Sequence, residues 1–299
     1  MMTYKAECII DEQNQLGEGP VWDDRLQEIF WVDIEGCTLH RLRPSDGRRT
    51  QHQFPHKIGA AVPAENGTWI LALADGFYRF DLESGASTLI THTEDANPAN
   101  RMNDGKCDPA GRFWAGTMSA KWQRDANLYM LDNGQLAHRL SEVGCSNGLA
   151  WNADATIMYY IDSFERIVYA FDYDAATGAI SNRRPAITYP DIEGEGGPDG
   201  MSIDAEGMLW IGHWGGSQVG RWSPLTGEKL ATIPIPVLNV TSCAFGGENL
   251  DELYITTARV GNDEAALSKQ PQAGGLFRVK LDVAGLPVHR AKVYSTKPL

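Results

Sequence analysis

Cys107-Asp108-Pro109-Ala110-Gly111, running into Phe113-Trp114-Ala115, is a polar turn closed by glycine and followed by a short aromatic strand. The same order of residues recurs along the chain. Ile203-Asp204-Ala205-Glu206-Gly207 leads to Leu209-Trp210-Ile211, and Pro63-Ala64-Glu65-Asn66-Gly67 leads to Trp69-Ile70-Leu71. Trp151-Asn152-Ala153-Asp154-Ala155 precedes Met158-Tyr159-Tyr160, and Trp22-Asp23-Asp24-Arg25-Leu26 precedes Ile29-Phe30-Trp31. Phe245-Gly246-Gly247-Glu248-Asn249 precedes Leu253-Tyr254-Ile255. From Trp22 to Phe245 the six segments begin at steps of 41, 44, 44, 52 and 42 residues.

Most repeats continue into a further strand, such as Gly76-Phe77-Tyr78-Arg79-Phe80-Asp81, and then a turn, such as Ala176-Thr177-Gly178. No long helical period competes with this pattern. A period of ~40–50 residues with about four strands in each repeat is the signature of a propeller. The sequence therefore predicts an all-β fold, a six-bladed β-propeller with a central metal-binding channel, as one domain over residues 1–299. A two-sheet sandwich gives no reason for six registered repeats. Glu7-Cys8-Ile9-Ile10 and Ala291-Lys292-Val293-Tyr294 are the expected strands by which the two termini complete one blade. The long step reflects an insertion around residues 191–198, expected to shape one end of the channel.

Composition narrows the function. The chain has 299 residues, 42% hydrophobic and 22% charged, an ordinary globular balance. Lysine and arginine number 26 against 39 acids, a net charge of −13. So acidic a surface repels polyanions, which argues against nucleic acid and anionic membrane as partners. No apolar run reaches ~18 residues, and the first residues show no apolar signal core. The five cysteines are scattered, with no C-x-x-C pair. That pattern predicts reduced thiols in a cytoplasmic protein rather than a disulfide framework or thiolate zinc site.

Four residues before the start of each repeat stand Glu18, Gly59, Asn103, Asn147, Asp199 and Thr241. Equivalent positions of different blades lie on a ring around the propeller axis. These positions are expected just before the innermost strands, with Gly19, Gly148 and Gly200 letting the backbone turn. In the third repeat the glycine at 105 would select Asp104 instead of Asn103. Carboxylates and amides gathered at one mouth are hard oxygen donors. They suit one divalent cation, Ca²⁺, Mg²⁺ or Mn²⁺, without excluding Zn²⁺ or Fe²⁺.

Other motifs carry less. Gly144-Cys145-Ser146-Asn147-Gly148 matches a nucleophile elbow, but a strand-like repeat follows where the elbow needs a helix. His213 could reach the channel or pack in a blade. Arg101, two residues before Asn103, could share its side of an extended segment and donate to substrate oxygens. It could equally pair with one of the surplus acids.

Leu16-Gly17-Glu18-Gly19-Pro20-Val21-Trp22 resembles a signature of the senescence marker protein/gluconolactonase (regucalcin-like) family. So do Arg101-Met102-Asn103-Asp104-Gly105-Lys106 with Gly111-Arg112-Phe113-Trp114-Ala115-Gly116-Thr117-Met118, then Ser146-Asn147-Gly148-Leu149-Ala150-Trp151 and Pro198-Asp199-Gly200-Met201. The resemblance spans essentially the whole chain. It implies a six-bladed propeller with one divalent metal held by Glu18, Asn147 and Asp199. It also implies substrate contacts from Arg101 and Asn103, Asp199 as general base, and a supporting role for Asp104. The activity implied is hydrolysis of sugar-acid lactones such as gluconolactone, xylonolactone or arabinonolactone. One departure is Lys121, three residues after Met118, where some members place an acidic substrate contact. Their hydroxyl recognition therefore does not carry over.

The chemistry implied is consistent. A lactone opens when an electrophile polarises its carbonyl and water attacks. A carboxylate shared with a cation is a weak base, so two routes stay open: Asp199 as the base, or a metal-bound hydroxide as the nucleophile. Two other functions fit the same residues: a phosphotriester or aryl-ester hydrolase, and a non-catalytic metal-binding propeller.

Overall fold

The computed structural model describes residues 4–93 and 97–292. After β1 (Glu7–Ile10), the first blade is β2 (Gly17–Asp23), β3 (Glu28–Asp33), β4 (Thr38–Arg43) and β5 (Arg48–Gln53). The second is β6 (Ile58–Pro63), β7 (Trp69–Leu73), β8 (Gly76–Phe80) and β9 (Ser87–His92). The third is β10 (Arg101–Cys107), β11 (Phe113–Met118), β12 (Ala126–Asp132) and β13 (Gln135–Val143). The fourth is β14 (Ser146–Trp151), β15 (Ile157–Asp162), β16 (Ile167–Asp174) and β17 (Ala179–Thr188). The fifth is β18 (Gly197–Ile203), β19 (Leu209–Trp214), β20 (Gln218–Trp222) and β21 (Lys229–Pro234). The sixth is β22 (Asn239–Gly246), β23 (Glu252–Ala258), β24 (Leu276–Lys280) and, on its outer edge, β1. One short helix, α1 (Glu264–Lys269), sits between β23 and β24.

The repeat read from the sequence is the turn between the first two strands of each blade. Asp108 Oδ1 accepts hydrogen bonds from the backbone N–H of Ala110 and Arg112, and its Oδ2 accepts one from Trp114 Nε1 at 2.9 Å. Asp204 does the same for Glu206, Met208 and Trp210. Gly111 and Gly207 supply the left-handed backbone at φ +78° and +80°. Where the repeat lacks glycine, Gln27 and Ala155 take that conformation instead, and in the sixth repeat both Gly247 and Leu250 do. The aspartate thus fixes both the turn and the aromatic ring that follows it.

Those rings form the core. Six apolar clusters lie between blades, one in each gap. Phe30 and Leu39 of the first blade pack with Trp69 and Leu71 of the second, and so on around the ring. The last gap joins Tyr254 and Leu276 of the sixth blade to Trp22, Ile29 and Trp31 of the first. Trp22 and Tyr254 stack with centroids 5.6 Å apart.

The terminal blade differs from the expectation in one half. Glu7–Ile10 does complete it, pairing antiparallel with β24 in a register that sets Glu7 against Arg278. Ala291 and Lys292 do not, and Val293 and Tyr294 lie outside the described residues. Residues 285–292 instead cross the end of the channel remote from Glu18. They bridge Asp204 of the fifth blade at Gly285 and Ala64 of the second at Ala291. Leu276-Phe277-Arg278-Val279-Lys280 occupies the strand position because its alternation fits β23. No helix among the described residues is long and apolar enough to cross a membrane.

Candidate metal centre and channel mouth

The innermost strands β2, β6, β10, β14, β18 and β22 all run from the mouth toward the far end. Each has a break in its pairing register near the mouth, as between Glu18 and Val21, Met102 and Gly105, Ser146 and Leu149, and Pro198 and Met201. The site residues therefore lie inside the innermost strands, in bulges, rather than before them. A bulge leaves residues unpaired and re-aims their side chains. The glycines serve a different purpose from the one expected. Of the three, only Gly19 has a positive φ, +50°. A Cβ at Gly148 would lie 2.6 Å from Met201 Cγ, and one at Gly200 would collide with Ser242 Oγ. These glycines let neighbouring inner strands approach closely around the axis.

Glu18, Asn103, Asp104, Asn147 and Asp199 are all buried. Asn103 Nδ2 donates to Asn147 Oδ1 at 3.1 Å and to the Ser146 carbonyl at 2.8 Å. Asn147 Nδ2 donates to Ser163 Oγ at 2.8 Å, and Ser163 in turn donates to the Pro198 carbonyl at 2.6 Å. Arg101 Nη1 donates to Asn103 Oδ1 at 2.6 Å, so Arg101 and Asn103 do share one side. Arg101 Nε also lies 4.0 Å from Glu35 Oε1, so the ion-pair reading holds in part. Of the remaining ring positions, the Thr241 hydroxyl donates to the Gly17 carbonyl at 2.6 Å, and Gly59 lies against the backbone of Met102.

Burial pushes the Glu18 carboxyl well above the ordinary range, and the negative charges of Asp199 and Asp104 push it further. Asp199 is raised well up by burial and then by Asp104, with Glu18 as its hydrogen-bond neighbour. Asp104 is raised by burial and partly relieved by the Lys106 ammonium. Two acids held where neither ionises easily are destabilising unless something compensates. Among the described residues no three His, Cys, Asp or Glu side chains gather as a metal cluster. The donor set that does assemble is two carboxylates, Glu18 and Asp199, with the amide oxygen of Asn147. Those oxygens, anionic on the carboxylates and neutral on the amide, are of the hard kind that a divalent cation takes.

Several neighbours escaped the reading of the sequence. Asp33 accepts from the backbone N–H groups of Gln15, Leu16 and Gly36, and Asp162 accepts from those of Gly144, Cys145 and Phe164. Each braces the segment that leads to a site residue, Glu18 or Asn147. Their signal was present: both end the second strand of a blade, in Val32-Asp33 and Ile161-Asp162. Cys145 Sγ lies 3.8 Å from Asn103 Nδ2 and 3.6 Å from Asn147 Nδ2. Lys106 donates to the Met201 carbonyl at 2.6 Å, from the third blade to the fifth.

Two candidates leave the site. Ser146 is buried and packs on Gly116, with no helix behind it. His213 is buried among Tyr189 and Trp222, so packing is its role.

Residues 16–259 match the family described as SMP-30/Gluconolactonase/LRE-like region. The chain belongs to this family. Regucalcin of Danio rerio is 41% identical over 293 residues, covering 96% of this chain and 98% of the relative. YvrE of Bacillus subtilis (strain 168), to which a sugar lactone lactonase activity is ascribed, is 38% identical, covering 92% and 94%. The calcium-binding protein regucalcin from Agrobacterium tumefaciens, a solved structure, superimposes with a TM-score of 0.91 at 29% identity, over 97% and 100% of the chains. Among such SMP-30/gluconolactonase-like proteins the six-bladed architecture is shared, and this chain has it.

Proposed function

We propose that this protein is a metal-dependent hydrolase that opens sugar-acid lactones to the free aldonic acids. The observation that carries the reading is the buried Glu18–Asp199 pair, joined to Asn147, Asn103 and Arg101 at one mouth. The family's name and the activity ascribed to YvrE support the lactone. The Agrobacterium relative's description as a calcium-binding protein supports a divalent cation, with Ca, Zn, Mn, Mg and Fe as candidates. Its five free thiols suit a cytoplasmic setting.

Glu18, Asn147 and Asp199 are the residues that would hold the cation. When bound, it supplies positive charge to polarise the lactone carbonyl. Asn103 donates to the Asn147 amide oxygen and Ser163 accepts from its nitrogen, so the orientation of that amide is fixed from both sides. Arg101 anchors one nitrogen on Asn103 and keeps further N–H groups for the oxygens of the lactone ring. Asp199 takes a proton from the attacking water. The leaving alkoxide stays on the same molecule, so the product is a single hydroxy acid.

The test is acid release from a panel of aldonolactones by apo enzyme reloaded with each candidate cation, with a phosphotriester in parallel. Cation-dependent opening of at least one lactone is expected. Turnover of the phosphotriester alone, or cation binding with no turnover, would overturn the reading.

A further inference from the structure

Nine large apolar side chains are prominently exposed among the described residues, and Trp122 is more exposed than Trp214, the other aromatic among them, at 54% against 37%. Trp122 lies in the loop between β11 and β12. Because β10 runs from the mouth to the far end and β11 returns, that loop stands on the mouth's rim. Trp122 also has φ +52°, a left-handed conformation that a bulky residue rarely adopts. An exposed apolar ring held in a strained backbone needs a reason.

The loop is built to hold it. Trp122 N–H donates to the Ser119 carbonyl at 3.2 Å. The buried Ser119 hydroxyl accepts from the N–H of Lys121 at 3.3 Å and of Gln123 at 3.0 Å. Ser119 N–H bonds to Gly144 O at 3.0 Å, and Ala120 N–H to Asn100 Oδ1 at 3.0 Å. Arg124 pairs with Glu165 at 2.8 Å. The indole then meets Phe164 edge-on, with centroids 5.7 Å apart at 61°.

That contact ties the ring to the site. Phe164 directly follows Ser163, the partner of the Asn147 amide. On the other side, Met118 forms a bridge with Cys145, two residues before Asn147. Trp122 follows Met118 by four positions, so its Cα stands within roughly 14 Å of Met118 along the chain. The ring is on the rim of the mouth.

We propose that Trp122 is the platform of a second sugar subsite, and that the substrate is an aldonolactone carrying a further glycosyl unit. The proposal rests on the lactonase reading above. One face of a pyranose presents only C–H groups, which meet the electron-rich face of an indole well, while its rim hydroxyls need donors. Lys121 and Gln123, both exposed, flank the ring and are such donors. An acyl chain would require an apolar groove, whereas the neighbours of Trp122 from 120 to 124 are mostly polar and all exposed.

The experiment compares kcat/KM for gluconolactone and cellobionolactone in the cation-loaded wild type and in Trp122→Ala, Trp122→Phe and Leu225→Ala. Leu225, exposed on the opposite face, is the control. The disaccharide-to-monosaccharide ratio is expected to fall roughly tenfold in Trp122→Ala, to fall less in Trp122→Phe, and to hold in Leu225→Ala. Calorimetry with the unreactive alditol cellobiitol should show a matching loss of binding in Trp122→Ala. Thermal unfolding checks that each variant is folded. A ratio and an alditol affinity unchanged in folded Trp122→Ala would overturn the subsite alone. No turnover of either lactone by the wild type would overturn the lactonase reading and the subsite with it.

Discussion

At the mouth, Glu18, Asn103, Asn147 and Asp199 crowd acids and amides into a buried space, linked by hydrogen bonds that cross between blades. A few residues along the same strands, toward the far end, Val21, Val62 and Ile203 line a cavity of about 90 Å³ with Leu286 and Val288, which Asp104 and Lys106 border on the mouth side. The backbone is continuous; the chemistry is not. The bulge separates the two regions. On its mouth side the strand gives up pairing to aim polar groups at the axis, and beyond it the alternation resumes and apolar side chains meet. One end stores electrostatic tension, and the other contributes packing. Changes at the mouth should alter turnover more than stability, and changes at the far end the reverse.

The largest expected effect comes from Glu18→Gln or Asp199→Asn. Turnover should fall on the order of a thousandfold or more, with cation affinity. In chelator, melting of either variant should be no lower than that of wild type, because a buried charge has been removed. Wild-type kinetics in both would erase the distinction between the two ends.

Acid should act on the wall behind the mouth. Burial lowers the His213 pKa from 6.5 to about 4 in the folded chain. The unfolded chain takes a proton below pH 6.5 that the folded chain refuses. Stability from this group is therefore complete above that pH and is lost as pH falls toward 4, by roughly 3 kcal/mol in all. Urea unfolding of wild type and His213→Gln from pH 7 to 4 should give a shallower dependence in the variant. Parallel curves would remove His213 from the account.

Arg101→Lys sharpens the comparison within the mouth. Lysine keeps the charge and loses the planar fork, so kcat/KM should drop roughly tenfold to a hundredfold. Cation affinity should change little. Unchanged kinetics would leave Arg101 only its charge-balancing contact with Glu35.

The smallest effect on catalysis should come from Gly285→Ala at the far end. A Cβ there would collide with Phe245, and overpacking of this kind costs about 1–3 kcal/mol of stability. Lowered melting with wild-type kcat/KM is expected; a kinetic defect at unchanged stability would show that the far end takes part in the reaction.

The architecture was legible because one local device, an aspartate or asparagine holding a turn and often the next aromatic ring, repeats in sequence. The site residues were legible because they keep a fixed distance from that device. What escaped depends on three-dimensional closeness. Gly148 and Gly200 read as turn residues, since only the packed ring shows Met201 and Ser242 beside them. Ala291-Lys292-Val293-Tyr294 read as a strand from composition, while the place beside β23 was already taken by β24, with β1 on the outer edge. Lys106 carried no signal at all, because its partner is a backbone carbonyl on a strand two blades away.

The pairing of β1 with β24 has a consequence for how the chain is made. Glu7 and Arg278 join across 271 positions of sequence. During synthesis β1 has no neighbour until β24, with Arg278 271 positions after Glu7, has left the ribosome. Blades one to five can each form from contiguous residues, whereas the sixth requires both ends at once. Until then the nascent chain exposes an apolar blade face at each end of an open arc, Trp210 and Val219 at one and Trp22 and Trp31 at the other, a period in which a chaperone would be of use.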